Sequence, residues 1–560
     1  MKFKDMPYER VDLKALATEL DKLTSRIPAA KNGEELLDIF REQEKLSLHA
    51  ETMMSLCYVR NSIDTRDKFY EAEQEFYDTE MPAFQEHTVA FAAAVLQSPY
   101  RKTVVDAVGE PYFKNLEMEL RCFSPEIIDL LGTENKLVSE YQKLNASAQI
   151  DFDGKKLNIA QLGAYKQNAD REVRHAAYNA ESGFYMQNAA ELDRIFDELV
   201  KCRTEIAHKL GFRSFTEVAY LRRGRNCYNA EMVANFRKQV VSDLVPIVCK
   251  LKEKQAERIG LTPDTMTIYD DVFNYREGNP KPIGTPDDII AAGKQMYEEM
   301  SPETSEFINF MVDNELLDLV AKEGKACGGY CTGFPEFKAP FIFSNFNGTS
   351  GDVDVLTHEA GHAFEAYVTR DFEFSESAQP TMESCECHSM SMEFFAWKWL
   401  QLFYGDDVKR AKDAHLASAL IFIPYGCMVD HFQHIVYDHP DLTPAERHAE
   451  WLKLEKIYRP YLNFADVDFY ALGRTWQRQL HIYHYPFYYI DYCLAQTVAL
   501  EFWSLSQSDY VNAWERYYRF VCEGGKKTFV DLCKVADLRV PFEDGALKEI
   551  ASAAVDYLNK

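Results

Sequence analysis

This 560-residue chain contains no apolar run long enough to span a bilayer. Its longest, ASALIFIPYGCMV from Ala417 to Val429, has 13 residues and is interrupted by Pro424 and Gly426, whereas about 20 are needed. We expect a core helix there, ending at a bend, and no membrane partner. Basic excess is absent too: 62 Lys and Arg stand against 89 Asp and Glu, a formal charge of −27. That balance repels phosphate backbones and anionic lipid, so no nucleic-acid partner is expected, while cationic ligands are favoured. The 13 cysteines are odd in number and follow no framework spacing, which suits reduced thiols in a cytosolic protein. No apolar stretch follows the basic residues of MKFKDMPYERVDLKAL, so neither a secretory signal nor a transit peptide is read there and the cytoplasm is the expected compartment. Serine and cysteine hydrolase chemistry lacks its signatures. GTSG from Gly348 does not have the spacing of a nucleophile elbow, and no cysteine has an evident activating histidine.

A fixed-period repeat, a low-complexity tract and a Pro/Gly/Ser-rich linker are also missing. What is present is helical periodicity within an ordinary globular composition, 46% hydrophobic and 27% charged. In the N-terminal helices, for example, Phe69, Ala72, Phe76, Ala83 and Phe84 recur at roughly helical intervals. We therefore expect a mainly α fold, with an N-terminal helical domain over 1–190 and a second domain over 191–560, the boundary being approximate. Two stretches break the helical pattern. In QIDFDGKKLNIAQLG, Ile150 and Phe152 alternate, Asp153-Gly154 supplies a tight turn, and Leu157 and Ile159 alternate again, as in a hairpin. In GGYCTGFPEFKAPFIFSNFNGTSGD, APFIFSNF favours β structure, Pro340 suits an edge strand, and Asn347-Gly348 supplies a turn into a helix that Asp352 or Ser350 can cap, with Asp354 in its first turn.

That helix carries DVLTHEAGHAFEAY, Asp354 to Tyr367. Positions i and i+4 share a helical face, so His358 and His362 can each aim a ring nitrogen at one ion while Glu359 projects beside it, placed to take a proton from a metal-bound water. Gly361 costs about 1 kcal/mol against alanine inside a helix, which is best explained by something that approaches the backbone closely. The bare pattern arises by accident in roughly one chain of this composition in thirty, so a third ligand must be sought. The next helix, PTMESCECHSMSMEFFAWKW, starts at Pro380-Thr381 and lines one face with Glu383, Glu386, Met390, Glu393 and Trp397. Either Glu386 or Glu383 could reach the ion. Cys385, Cys387 and His388 point around the helix and could not converge without unwinding it.

His358-Glu359-Ala360-Gly361-His362, followed by Glu386-x-x-Ser389-x-x-x-Glu393, resembles the oligoendopeptidase F and thimet oligopeptidase family of zinc metallopeptidases. LHIYHYPFYYIDYCLAQ, from Leu480, is similar to the tyrosine-rich segment of the oligoendopeptidase F branch. The resemblance favours Glu386 as third ligand and implies one Zn²⁺ per chain, Glu359 as general base, and a two-lobed helical zincin-type body with a small β-sheet near the active site and a deep substrate channel. Read alone, the late segment has a helix start at Pro486, with Tyr485, Tyr489 and Tyr492 four and three apart, so that two of these phenols can share one helical face. A phenol there could donate to an oxyanion, and with the resemblance Tyr492 and His481 are the first choices and Tyr489 the next. His484 is the competing histidine, because the loop differs by about a residue from the thimet oligopeptidase spacing. The strand near Phe341–Asn345 is then a rail along which a substrate backbone adds. The expected activity is endopeptidase cleavage of unfolded oligopeptides. A carboxypeptidase- or dipeptidase-like enzyme acting at chain ends, and a helical peptide-binding protein without catalysis, are the alternatives.

Overall fold

A computed structural model describes residues 1–326 and 328–559, and 73% of the chain is helical. Among the described residues five strands form two small sheets: β1 (Ile150–Phe152) with β2 (Lys155–Leu157), and a three-stranded sheet of β3 (Leu317–Val320), β4 (Tyr330–Phe334) and β5 (Ala339–Phe346). The chain divides into two compact units. The first comprises Met1–Leu120, Lys281–Lys409 and Val498–Arg539; the second comprises Arg121–Pro280, Arg410–Thr497 and Val540–Lys560. Residues 1–190 and 191–560 each contribute to both, because the chain leaves the first unit and re-enters it twice.

In the first unit, N-terminal helices close over a core that includes Leu36, Phe40, Phe91, Val104 and Phe113. The three-stranded sheet has the order β3-β5-β4, with β3 parallel and β4 antiparallel to β5. β5 is thus the central strand, not an edge. Its residues are buried on both faces apart from a half-buried Asn345, so the unbroken apolar run reads as a strand covered on two sides. Pro340 is accommodated at the strand's second residue, opposite Gly333. β5 is already paired on both sides, over Ala339–Phe343 by β4 and from Ile342 to Phe346 by β3, so it offers no open edge at Ile342 and Phe343; the edge strands are β3 and β4.

After β5, Gly348 adopts a left-handed φ of 84°, and the helix Ser350–Thr369 begins. Its N-cap is Thr349, rather than Ser350 or Asp352, and Asp354 lies beyond the first turn. Asp352 instead reaches back: its carboxylate accepts hydrogen bonds from the backbone N–H of Asn347, at 3.0 and 3.1 Å, and of Gly348, at 2.6 Å. The turn and the helix are therefore tied together at the helix's positive end. This helix packs on β5, on β4 and against the helix Met382–Phe395.

In the second unit the hairpin pairs Ile150 with Leu157 and Phe152 with Lys155, and Asp153 and Gly154 take φ of 51° and 71° to make the turn. The run at Ala417 lies in one helix, Val408–Asp438, which continues through Pro424 instead of ending there. A Cβ on Gly426 would lie 2.2 Å from Sγ of Cys493, so this glycine serves close helix packing rather than a bend. The helix at the late tyrosines starts at Tyr489, not at Pro486, and follows a short helix Leu480–His484.

Candidate functional site

The two site helices of the first unit meet where the sequence has its glycine. An added Cβ on Gly361 would sit 2.5 Å from Cα of Ser389 and 2.6 Å from the carbonyl oxygen of His388. Only a residue without a side chain lets the two backbones approach this closely. The contact brings Glu386 against the histidine pair. Nε2 of His358 lies 3.3 Å, and Nε2 of His362 3.7 Å, from Oε2 of Glu386, and the three ligand-type atoms all lie within 4.8 Å of one another. A tetrahedral zinc with bonds of about 2.0–2.2 Å spaces its ligand atoms about 3.4 Å apart, so the donor set fits such an ion.

The surrounding residues orient the ligands. Nδ1 of His358 lies 2.7 Å from Oε1 of Glu393, which fixes its proton on Nδ1 and leaves Nε2 as the donor atom. Oγ of Ser389 donates to Oε2 of Glu386 at 3.1 Å. Glu383, the rival third ligand, is fully buried and accepts from Oγ1 of Thr381 at 2.8 Å. Cys387 and His388 are buried away from the cluster's ligand set, and burial pushes the His388 imidazole down to about 3.

Electrostatics separate the two histidines. Burial opposes charging of His358, but its hydrogen bonds to Glu386 and Glu393 outweigh that and hold its affinity for a proton well above the usual range. His362 is lowered to about 4 by burial, against the pull of Glu386. A group of carboxylates that favours positive charge at His358 favours a metal cation at the same place. Burial raises the Glu359 carboxyl to about 7, partly offset by His358 and by a hydrogen bond from the Cys331 backbone in β4.

The second unit holds the other predicted residues. His481, Tyr489 and Tyr492 form one aromatic cluster: the His481 ring centroid is 4.9 Å from that of Tyr489 and 6.2 Å from that of Tyr492. Tyr488, which sequence reasoning passed over, completes it at 4.8 Å from Tyr492. Tyr425 donates to Gln479 Oε1 at 2.8 Å, and Gln479 Nε2 donates to Nδ1 of His481 at 2.9 Å. This relay assigns the His481 proton to Nε2, and burial, followed by the neighbouring His484, lowers the ring to about 4. His481 is thereby a neutral donor. His484 turns elsewhere, stacking on Tyr485 at 3.8 Å with its Nδ1 3.3 Å from Gln142 Nε2.

A helical body with a His-Glu-x-x-His helix packed against a carboxylate-bearing helix defines the class of helical metallopeptidases. Comparison with known proteins narrows this. The family model for the Peptidase M3 N-terminal domain matches residues 3–123, and that for Peptidase family M3 matches residues 299–552. The solved structure of Pz peptidase A with inhibitor 2 is 46% identical, covers 100% of this chain and 99% of its own, and superposes with a TM-score of 0.92. A protein of Bacillus anthracis str. Ames, described as an oligoendopeptidase F, is 44% identical, with 100% and 98% coverage and a TM-score of 0.87. The chromosomal oligoendopeptidase F of Lactococcus lactis subsp. cremoris is 22% identical over 398 residues, 63% of this chain and 62% of that relative's length. The chain belongs to peptidase family M3, in its oligoendopeptidase F branch.

Proposed function

We propose that the protein is a zinc-dependent endopeptidase that hydrolyses internal peptide bonds of unfolded oligopeptides, with one zinc per chain held by His358, His362 and Glu386. The observation that carries this reading is the convergence of two imidazole nitrogens and a carboxylate oxygen from adjoining helices, beside the buried carboxyl of Glu359. When bound, zinc supplies Lewis acidity that lowers the pKa of water and polarises a carbonyl. The chain's own residues supply the rest. Glu393 keeps the His358 proton on Nδ1, so that the other ring nitrogen is free to ligate. Glu359 is the general base: it takes a proton from the attacking water and returns it to the departing amine, and a carboxyl raised toward neutrality by burial suits both transfers.

We assign Tyr492, assisted by His481 and flanked by Tyr489, to hydrogen bonding of the oxyanion, a role that rests on the family resemblance. A substrate backbone would pair with β4, whose outer side carries no strand among the described residues, and not with β5. A cytoplasmic site of action follows from the cysteines of the sequence, which are odd in number and follow no disulfide-framework spacing. A non-catalytic peptide binder is the poorer reading, since the base and the three ligands are all retained. The test is Glu359→Gln, loaded with zinc and given a blocked, internally quenched peptide. Cleavage should fall on the order of a thousandfold while zinc content stays at one per chain. Cleavage at the parental rate would overturn the mechanism.

A further inference from the structure

In the second unit an open cavity of about 330 Å³ lies beside the late tyrosine segment. Arg222, Arg223, Gln142, His484 and Tyr485 are among the residues that line it. Its charge is unbalanced. Glu134, also in the wall, gives one oxygen to Nε of Arg203 at 2.6 Å and the other to Nη1 of Arg222 at 3.0 Å, so its single charge is shared by two guanidiniums. Behind them Arg225 is paired with the fully buried Asp491 at 3.2 Å. Arg223 has no carboxylate within ion-pair reach among the described residues; what it has is the Tyr485 ring, with Cζ 5.5 Å from the centroid. Nη2 of Arg222 is buried with no hydrogen-bond partner. Two guanidiniums, those of Arg222 and Arg223, thus line the cavity beside the one carboxylate of Glu134, which is shared with Arg203, in a chain whose formal charge is −27.

Burial also draws the Arg223 guanidinium below its ordinary range, with Arg225 and Arg222 adding to the effect and Asp491 opposing it. A half-buried cation without an ion-pair partner is stabilised when an anion completes the site. The cavity is too small for more than about one residue of a chain, and the guanidiniums in its wall are donors of the kind that fork onto a carboxylate.

We propose that this cavity is a subsite for a carboxylate of a bound peptide, held by the Arg223 guanidinium with Arg222, Gln142 and Tyr485 around it. The inference rests on the peptidase reading above for the identity of the ligand. The position is apt. Tyr485 contacts Tyr488 at 6.4 Å between ring centroids, and Tyr488 contacts Tyr492 at 4.8 Å. The Tyr492 ring is therefore within about 11 Å of the cavity wall, the span of about three extended residues. A peptide passing over this aromatic row can place a carboxylate, terminal or side-chain, on Arg223.

The test measures binding without turnover, in the zinc-loaded full chain carrying Glu359→Gln. Three N-acetylated pentapeptides of one sequence are titrated by calorimetry: the free acid, the C-terminal amide, and the amide with glutamate as its last residue. With Arg223 present, one of the two carboxylate-bearing peptides should bind about ten- to a hundredfold more tightly than the neutral amide, and the advantage should shrink with added salt. Preference for the free acid identifies a terminal carboxylate, and preference for the glutamyl amide a side chain. Adding Arg223→Gln should abolish the preference, whereas Arg223→Lys should retain part of it with circular dichroism unchanged. Equal binding of all three peptides, no binding by any of them, or a preference that survives Arg223→Gln would overturn the proposal. The peptidase reading fails on a different result, intact hydrolysis by the singly substituted Glu359→Gln protein.

Discussion

The contact at Gly361 is the most direct handle on the candidate metal site. Replacing Gly361 by alanine would put a carbon 2.5 Å from Ser389 Cα, 2.6 Å from the His388 oxygen and 3.0 Å from the His388 carbonyl carbon. Carbon atoms in contact prefer about 3.5–4.0 Å, so the two helices must separate by about 1 Å. The obstacle is backbone on both sides and cannot rotate away. Overpacking of this kind costs about 1–3 kcal/mol, while the gain in helix propensity returns about 1 kcal/mol, leaving a net loss of stability of at most about 2 kcal/mol. Metal binding should suffer more than the fold. Glu386 sits three residues before Ser389 and is hydrogen-bonded to it, so the displacement carries its carboxylate away from nitrogens now 3.3 and 3.7 Å distant. We expect Gly361→Ala to weaken zinc binding at least about tenfold, which corresponds to about 1.4 kcal/mol. Competition against a chromophoric chelator measures this, with circular dichroism to show that helix content is kept. Parental zinc affinity in a folded Gly361→Ala protein would refute the account of why the glycine is there.

Glu393→Ala removes the acceptor that orients His358 and should lower zinc affinity about 10- to 100-fold in the same titration, whereas Glu393→Gln, which still offers an oxygen to Nδ1, should lose less. Tyr492→Phe should leave zinc content unchanged and lower kcat for peptide hydrolysis about a hundredfold or more with little change in KM; an unaltered kcat would remove Tyr492 from the oxyanion role. Glu365, buried and raised to about 8 mainly by desolvation, gives a pH signature. Its folded-state pKa lies above the unfolded value, so between roughly pH 4.5 and 8 the native state holds the extra proton and stability falls as pH rises. Glu365→Gln should therefore match the parent near pH 5 and exceed it by a few kcal/mol near pH 9, read as the difference between thermal melts at the two pH values; a parallel pH profile for the two proteins would contradict the burial argument.

The parts of the site that lie on one helix were legible in the sequence, and the parts that depend on tertiary packing were not. His358 and His362 could be paired because four residues make about one helical turn, and Gly361 could be flagged because its cost in a helix demands a close neighbour. Glu386 and Glu383 could not be separated by spacing, since both lie on the inward side of their helix. The structure separates them through Thr381, which takes the Glu383 carboxylate. The strand before the motif was misjudged because Pro340 was weighed as an edge signal, when the uninterrupted apolar run around it was the better guide to a central strand. Pro424 misled in the same way: packing on the helix that carries Cys493 keeps Val408–Asp438 continuous where local propensity would stop it. The arginine-lined cavity was invisible, because its walls come from residues near 142, 222 and 484, which no periodicity connects.

The candidate metal site gathers negative charge where little water is available. Glu383, Glu386 and Glu359 are all at least nine-tenths buried, and Glu393 joins them through His358. Buried carboxylates normally hold protons, and the upward shift of Glu359 shows that tendency. Thr381 donates to Glu383, and the imidazoles of His358 and His362 lie against the oxygens of Glu386 and Glu393. A divalent cation fits that arrangement better than a proton does, because it adds two charges at a point three ligand atoms already surround. The burial that would destabilise these carboxylates alone would therefore favour a doubly charged ion at this helix pair. By linkage, ion binding would in turn stabilise the close contact at Gly361 on which the ligand geometry depends.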